Sequence, residues 1–131
     1  MTSVRLHADA IAGLLTTAGL TVTIGEAPDD LAGAFVVLYP TPGLELAENL
    51  GKPIGDIQVD FQLTCVGESA EQALWCADKA RTAINRAIPA VSGRVCWPIW
   101  ADEQPQPVLR DDAVNPPKFV AISRWSLRST L

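Results

Sequence analysis

Histidine is nearly absent from this sequence. The single one, His7, leaves no second imidazole for a histidine-built zinc site, and any Ser-His-Asp arrangement would have to use it. Its place in the first turn of a helical pattern predicts a solvated helix residue instead. Cysteine is scarce too. Cys65, Cys76 and Cys96 are odd in number, widely spaced and free of any Cys-x-x-Cys pair. That argues against a disulfide framework or a thiolate zinc site and predicts three small buried apolar residues in a reducing compartment. Cations are outnumbered, ten Lys and Arg against fifteen Asp and Glu, for a net charge of −5. They form no basic cluster of the kind that displaces counterions, so binding to DNA through its phosphates is not expected. No apolar run reaches the roughly 18 residues of a membrane helix. Met1–His7 lacks the continuous hydrophobic core of a signal peptide, which predicts a chain that stays in the cytosol where it is made.

Signatures of chemistry are missing as well. No Gly-x-Ser-x-Gly, Walker loop or Gly-x-Gly-x-x-Gly occurs. Asp56 and Asp60, four apart on one strand face, would stand roughly 13 Å apart, beyond the roughly 5–9.5 Å of paired glycosidase carboxylates. Asp111 and Asp112 point to opposite faces if extended. A carboxylate-only magnesium site remains the weaker reading, and solvated charge the preferred one. The sequence therefore predicts no enzyme, no catalytic residue, no metal ligand and no cofactor.

What is present is apolar material. Of the 131 residues, 48% are hydrophobic and the mean hydropathy is +0.18. Such a chain fills one domain, residues 1–131, with a genuine core and surface left for another chain to cover. Val4, Ala8, Ile11, Leu14, Leu15 and Ala18 recur at three- and four-residue spacing, which predicts a helix from Ser3, its N-cap, to Ala18, with Gly19 closing it. Leu20–Ile24 and the run Ala34–Tyr39 predict two strands. Residues 55–66 carry the cleanest signal. Ile57, Val59, Phe61, Leu63 and Cys65 alternate with Asp56, Gln58, Asp60, Gln62 and Thr64. One face of that strand is core, and the other is polar, acidic and without a cation of its own.

Ser69-Ala70-Glu71-Gln72 reads as a capping box opening a helix to about Ile88, with Ala73, Leu74, Ala77, Ala80, Ile84, Ala87 and Ile88 as its buried stripe and Pro89 as its stop. Residues 94–100 read as a strand that Pro98 places at a sheet edge. A short strand at 108–114 and a closing one at 118–127 follow. The order is α-β-β-β-α-β-β-β, an α+β fold with a mostly antiparallel sheet and two helices packed on one face.

Two features point outward. Residues 40–54 form a long loop carrying three prolines together with Leu44, Leu46 and Leu50. It either folds back over its own sheet or acts as an arm docking on a neighbouring subunit, and the arm is the preferred reading. Four tryptophans either complete a core poor in Phe and Tyr or supply interface area. Trp125 is assigned to the core, and Trp75, Trp97 and Trp100 are interface candidates.

The passages Val4–Leu20, Ala34-Phe35-Val36-Val37-Leu38-Tyr39-Pro40, the alternating Gly55–Gly67 strand and Ser69-Ala70-Glu71-Gln72-Ala73-Leu74 resemble, in order and length, the tail terminator proteins of long-tailed bacteriophages. The resemblance covers most of the chain and carries over no fixed site residue, because the family has no catalytic signature. It implies a homo-oligomeric ring, usually of six subunits, on the head-proximal end of the tail tube. Such a ring stops tube polymerisation and offers the head-joining surface. The partners implied are the chain itself, the major tail tube protein, a head–tail connector protein and genomic DNA, which passes through the lumen without specific binding. No membrane is involved; the location implied is the neck-proximal end of the tail in the virion. Asp56 and Asp60 would then be lumen-facing acidic residues that keep DNA from sticking. Two other readings stay open: another head–tail connector or minor tail protein, and a small α+β ligand-binding or enzyme subunit with a concave pocket.

Overall fold

The computed structural model describes residues 4–26, 33–46, 56–102, 106–113 and 117–130, with the backbone alone at 44–46. Ser3, the expected N-cap, and Leu50 lie outside the described residues.

Helix α1 spans Val4–Thr17 and buries His7, Ala8, Ile11 and Leu15. Gly19 turns the chain at φ +90°, a conformation costly for any residue with a Cβ. The chain then enters strand β1, Val22–Ile24. Strand β2, Phe35–Pro40, is the continuous apolar run, buried on both faces from Phe35 to Leu38. Strand β3, Leu44–Leu46, lies inside what the sequence presents as a loop at 40–54. Strand β4, Asp56–Gly67, is the alternating segment. Helix α2, Ala70–Ile84, follows. Three short strands come next, β5 (Val95–Cys96), β6 (Trp100–Ala101) and β7 (Leu109–Asp111), and β8 (Lys118–Thr130) closes the fold.

The strands form one sheet in the order β1-β2-β4-β8-β5, with β3 beside β4 and β6 and β7 beside β8. Only β1 and β2 pair in parallel. β4 and β8 pair antiparallel from Ile57↔Ser129 to Gly67↔Phe119 and form the spine. Both helices cover one face. Ile11 and Leu15 of α1 and Cys76, Ala80 and Ile84 of α2 share a core with Leu38, Phe61, Leu63, Trp125 and Leu127. Fully burying each large aliphatic side chain stabilises the fold by about 1.5–3 kcal/mol. The α+β class, the antiparallel bias and the helices on one face agree with the sequence pattern, and Pro98 does sit at the β5–β6 edge.

The chain departs from that pattern in four places. Instead of looping freely, residues 40–46 bend and continue the β2 edge. Pro40 pairs with Phe61 and Leu44 with Gln58, so three residues, Thr41–Gly43, oppose two on β4. That is a β-bulge, pinned by Thr41, whose N–H and hydroxyl both donate to the Asp60 carbonyl at 2.9 and 2.7 Å. Gly43 is required there. Its φ is +90°, and a Cβ would come within 2.9 Å of the Val4 side chain.

Helix α2 stops at Ile84, four residues early. Arg86 adopts φ 62°, its N–H donates to the Ile99 carbonyl, and the Ile99 N–H donates to Ala87. These tertiary bonds replace another helical turn, so Ile88 is exposed. The stripe also rotates, with Cys76 inward and Leu74 outward. Gly67 explains why. A Cβ on it would lie 2.5 Å from the Ala73 nitrogen, so the first turn of α2 rests directly on β4. The helix start itself follows the sequence: Ser69 Oγ accepts from the Gln72 N–H at 3.1 Å. The Gln72 side chain reaches one residue further back than a standard capping box, accepting from the Glu68 N–H at 2.6 Å.

The fourth departure is His7, which is fully buried rather than solvated. It lies three residues after Val4 and four before Ile11, on the buried side of α1. Its partner comes from the far end of the chain.

Candidate assembly surfaces

The outer face of the sheet, opposite the helices, is built by the even positions of β4 and their β8 partners. Register places Gln58 against Arg128, Asp60 against Ser126 and Gln62 against Arg124. β4 contributes no cation, but β8 adds two, so the face as a whole is not cation-free. Asp56, expected to line a lumen, is buried and ion-paired with Arg128 at 2.7 Å. Arg128 in turn stacks over Trp97, 4.8 Å from the ring centroid. Asp60 accepts from Gln58 Nε2 at 3.1 Å and from the Ser126 hydroxyl. The acidic stripe of one strand is thus mostly answered by its neighbour. A strand's sequence shows its own face but not the charges opposite it. Further along, Phe35, Val37 and Val66 form a second apolar cluster on this face.

The tryptophans separate as the sequence reading divides them. Trp125 is 2% exposed and in the core, whereas Trp75, Trp97 and Trp100 are 54%, 42% and 38% exposed. Trp75 carries Lys79 over its ring at 4.9 Å. Leu44 and Leu46 lie in β3, opposite Gln58 and Asp56 of β4. The structure brings Trp97, Trp100 and Val95 together along the β5–β6 edge. It does not bring Trp75 to them through any strand pairing, since Trp75 sits on α2. Exposed Leu74, on the next position of α2, lines a cleft of about 150 Å³ with Ala77, Arg81, Ala121 and Trp125. That is below the roughly 300 Å³ of ordinary small-molecule sites.

Sequence reasoning missed one polar network. His7 Nε2 and Ser129 Oγ are 2.7 Å apart and both residues are fully buried. Arg94 Nε donates to the same hydroxyl at 2.8 Å and its Nη2 to the Ser129 carbonyl at 3.2 Å. Having accepted from Arg94, the hydroxyl can donate its own proton to the imidazole. The network ties α1, β8 and the approach to β5 together, and its position under α1 gives it a structural rather than a catalytic setting. The signal for it was the helical spacing of His7 within the apolar stripe.

All three cysteines are buried and free, as expected. A hydrogen bond with Cys76 and burial together push the Cys65 thiol up, and burial pushes Cys96 up. At the sheet end of β4, the Gly33 N–H, 3.2 Å away, and Lys118, at 3.5 Å, hold the Glu68 carboxyl below the usual range. Among the described residues, no group of three or more His, Cys, Asp or Glu could hold a metal ion, and no helix is long and apolar enough to cross a membrane.

No family model matches the sequence, and no curated protein matches it. Solved structures do share the fold. One is a chain of the virion of a native gene transfer agent particle, with 16% identity and a TM-score of 0.64, covering 94% of this chain and 93% of that one. A second has 15% identity and a TM-score of 0.65, covering 100% of this chain and 98% of its own. At such identities the likeness is one of fold, from end to end. This chain is therefore a single α+β unit of a type used in at least one virion.

Proposed function

We propose that this chain is a structural protein of a phage or phage-like virion, and that it forms a ring capping the head-proximal end of the tail tube. The ring stops tube growth and presents the head-joining surface. The observation that carries the reading is the end-to-end fold match to a chain of the gene transfer agent virion, with almost nothing left over on either side. The resemblance of the sequence to tail terminators narrows that class to the ring. The exposed aromatic and aliphatic side chains of β5, β6 and α2 supply area for subunit or tube contacts. No catalytic group is needed for this role. The partners are further copies of the chain, the tail tube protein and the head–tail connector, with genomic DNA passing through. Of the two carboxylates expected to face that DNA, Asp60 stays in the reading. Asp56, neutralised by Arg128, leaves it.

The test is to mix the purified protein with tail tubes of the same particle and image them. Binding at one end of each tube, with tubes no longer extending when tube protein is added, is the expected result. Binding to the head connector alone would move the chain to the joining-protein class. Binding to neither would sink the proposal.

A further inference from the structure

Two of the three cysteines meet across elements. Cys65 lies on the helix-facing side of β4, two residues before Gly67, and Cys76 lies on α2, three residues after Ala73. Both are buried. The close approach of Gly67 to the Ala73 nitrogen brings the start of α2 down over this part of β4. A second fix comes from β2. Cys76 Sγ donates to the Phe35 carbonyl at 3.7 Å, and Val36, the next residue, is the direct cross-strand partner of Cys65. The Cys65 thiol completes the set by hydrogen bonding to Cys76.

That bond sorts the pair chemically. It pulls the Cys76 thiol down; burial opposes this, and the Lys79 ammonium adds to it. The same bond and burial push Cys65 up. Cys76 is therefore the member that forms a thiolate, while Cys65 keeps its proton. Cys96, on β5, stands outside the pair, and burial raises it.

We propose that Cys65 and Cys76 are an oxidisable pair, which a hydroperoxide joins into a disulfide that fastens α2 to β4. The Cys76 thiolate attacks one peroxide oxygen and breaks the O–O bond, leaving a sulfenic acid and hydroxide. The Cys65 sulfur then attacks the Cys76 sulfur. The S–S bond forms and water leaves with the Cys65 proton, while the proton Cys76 gave up turns the hydroxide into a second water. Two thiols thus lose two electrons and hydrogen peroxide gains them. Hydrogen peroxide is small enough to enter on a local opening of α2 that shuts out a bulky alkylating reagent. The occasion rests on the virion reading: a chain made in a reducing cytosol leaves it inside a particle and meets an oxidising medium. Because α2 also carries the exposed Leu74 and Trp75, the crosslink holds an assembly surface in place.

The test treats the full, folded chain with hydrogen peroxide, quenches it, unfolds it and alkylates the remaining thiols. Peptide mapping should show Cys65 joined to Cys76 and Cys96 alkylated, at a rate faster than global unfolding under the same conditions. The crosslinked chain should melt higher by up to about 10 °C, and dithiothreitol should reverse the gain. Cys96→Ala should crosslink as the wild type does. Cys65→Ala should stop at a Cys76 sulfenic acid that dimedone traps on unfolding. Three alkylated cysteines, a link to Cys96, or oxidation no faster than unfolding would each overturn the pair, and a disulfide that lowers the melting temperature would refute the fastening. A chain that crosslinks but caps no tube removes only the virion setting. One that caps tubes and stays reduced removes only this proposal.

Discussion

Replacing Ser129 by alanine removes one hydroxyl that bonds a buried imidazole nitrogen and a half-buried guanidinium nitrogen. His7 Nε2 is 2.7 Å from that oxygen and fully buried, so no water replaces the lost partner. Leaving such a group unsatisfied costs about 1–3 kcal/mol. Arg94 loses its Nε bond but keeps the one from Nη2 to the Ser129 carbonyl, which adds about 1 kcal/mol. The total is about 2–4 kcal/mol, a large part of the roughly 5–15 kcal/mol that holds a domain folded. For a chain of 131 residues the unfolding entropy makes 1 kcal/mol worth about 3–4 °C, so the melting temperature should fall by about 7–15 °C. Differential scanning calorimetry at pH 7 measures it. Adding His7→Leu to Ser129→Ala should recover part of the loss, because removing both partners is milder than orphaning one. A Ser129→Ala protein melting within 1–2 °C of wild type, or a double variant worse than additive, would refute the network.

Asp56→Ala should destabilise by about 1–3 kcal/mol in urea titration, less than a fully buried pair because Arg128 is partly exposed and keeps Trp97. Gly43→Ala should cost at least about 1 kcal/mol, since its φ of +90° and the 2.9 Å approach to Val4 are both unfavourable. Cys65, Cys76 and Cys96 should ignore a thiol reagent in the native protein and react together only as it unfolds, as a time course in denaturant would show. Because the folded Glu68 carboxyl lies low, its contribution is present above the ordinary carboxylate range and lost as pH falls through the folded value. Glu68→Gln should accordingly flatten the acid limb of a stability–pH curve.

The regular elements were legible because their signals are local. The alternation at 57–65 announces a strand with one buried face, Ser69 and Gln72 announce a helix start, and Pro98 announces an edge. What was illegible depends on partners distant in the chain. Nothing near Arg86 says that Ile99 will take its N–H, so the helix stop at Ile84 is invisible. Nothing near Asp56 names Arg128 as its neighbour, so a neutralised face reads as an acidic one. His7 was misread because residue type was weighed above its position in the stripe. The exposed tryptophans were legible as candidates, since Trp75 falls off the helix stripe and Trp97 and Trp100 bracket a proline; their spatial grouping with Val95 needed the strand pairing.

The spine of the fold has a consequence for how the chain is made. Asp56 and Arg128 are 72 residues apart in sequence, and β4 finds its long partner only in the last strand. Closing so long a loop is slow, because its entropy is lost before the ladder repays it. During synthesis, β4 therefore waits with one edge bare until β8 has left the ribosome. A chain cut short before β8 cannot complete the sheet, and β5, β6 and β7 have no strand to pair with. Truncated products therefore stay without a complete sheet, so the check on the chain's length is made by folding itself.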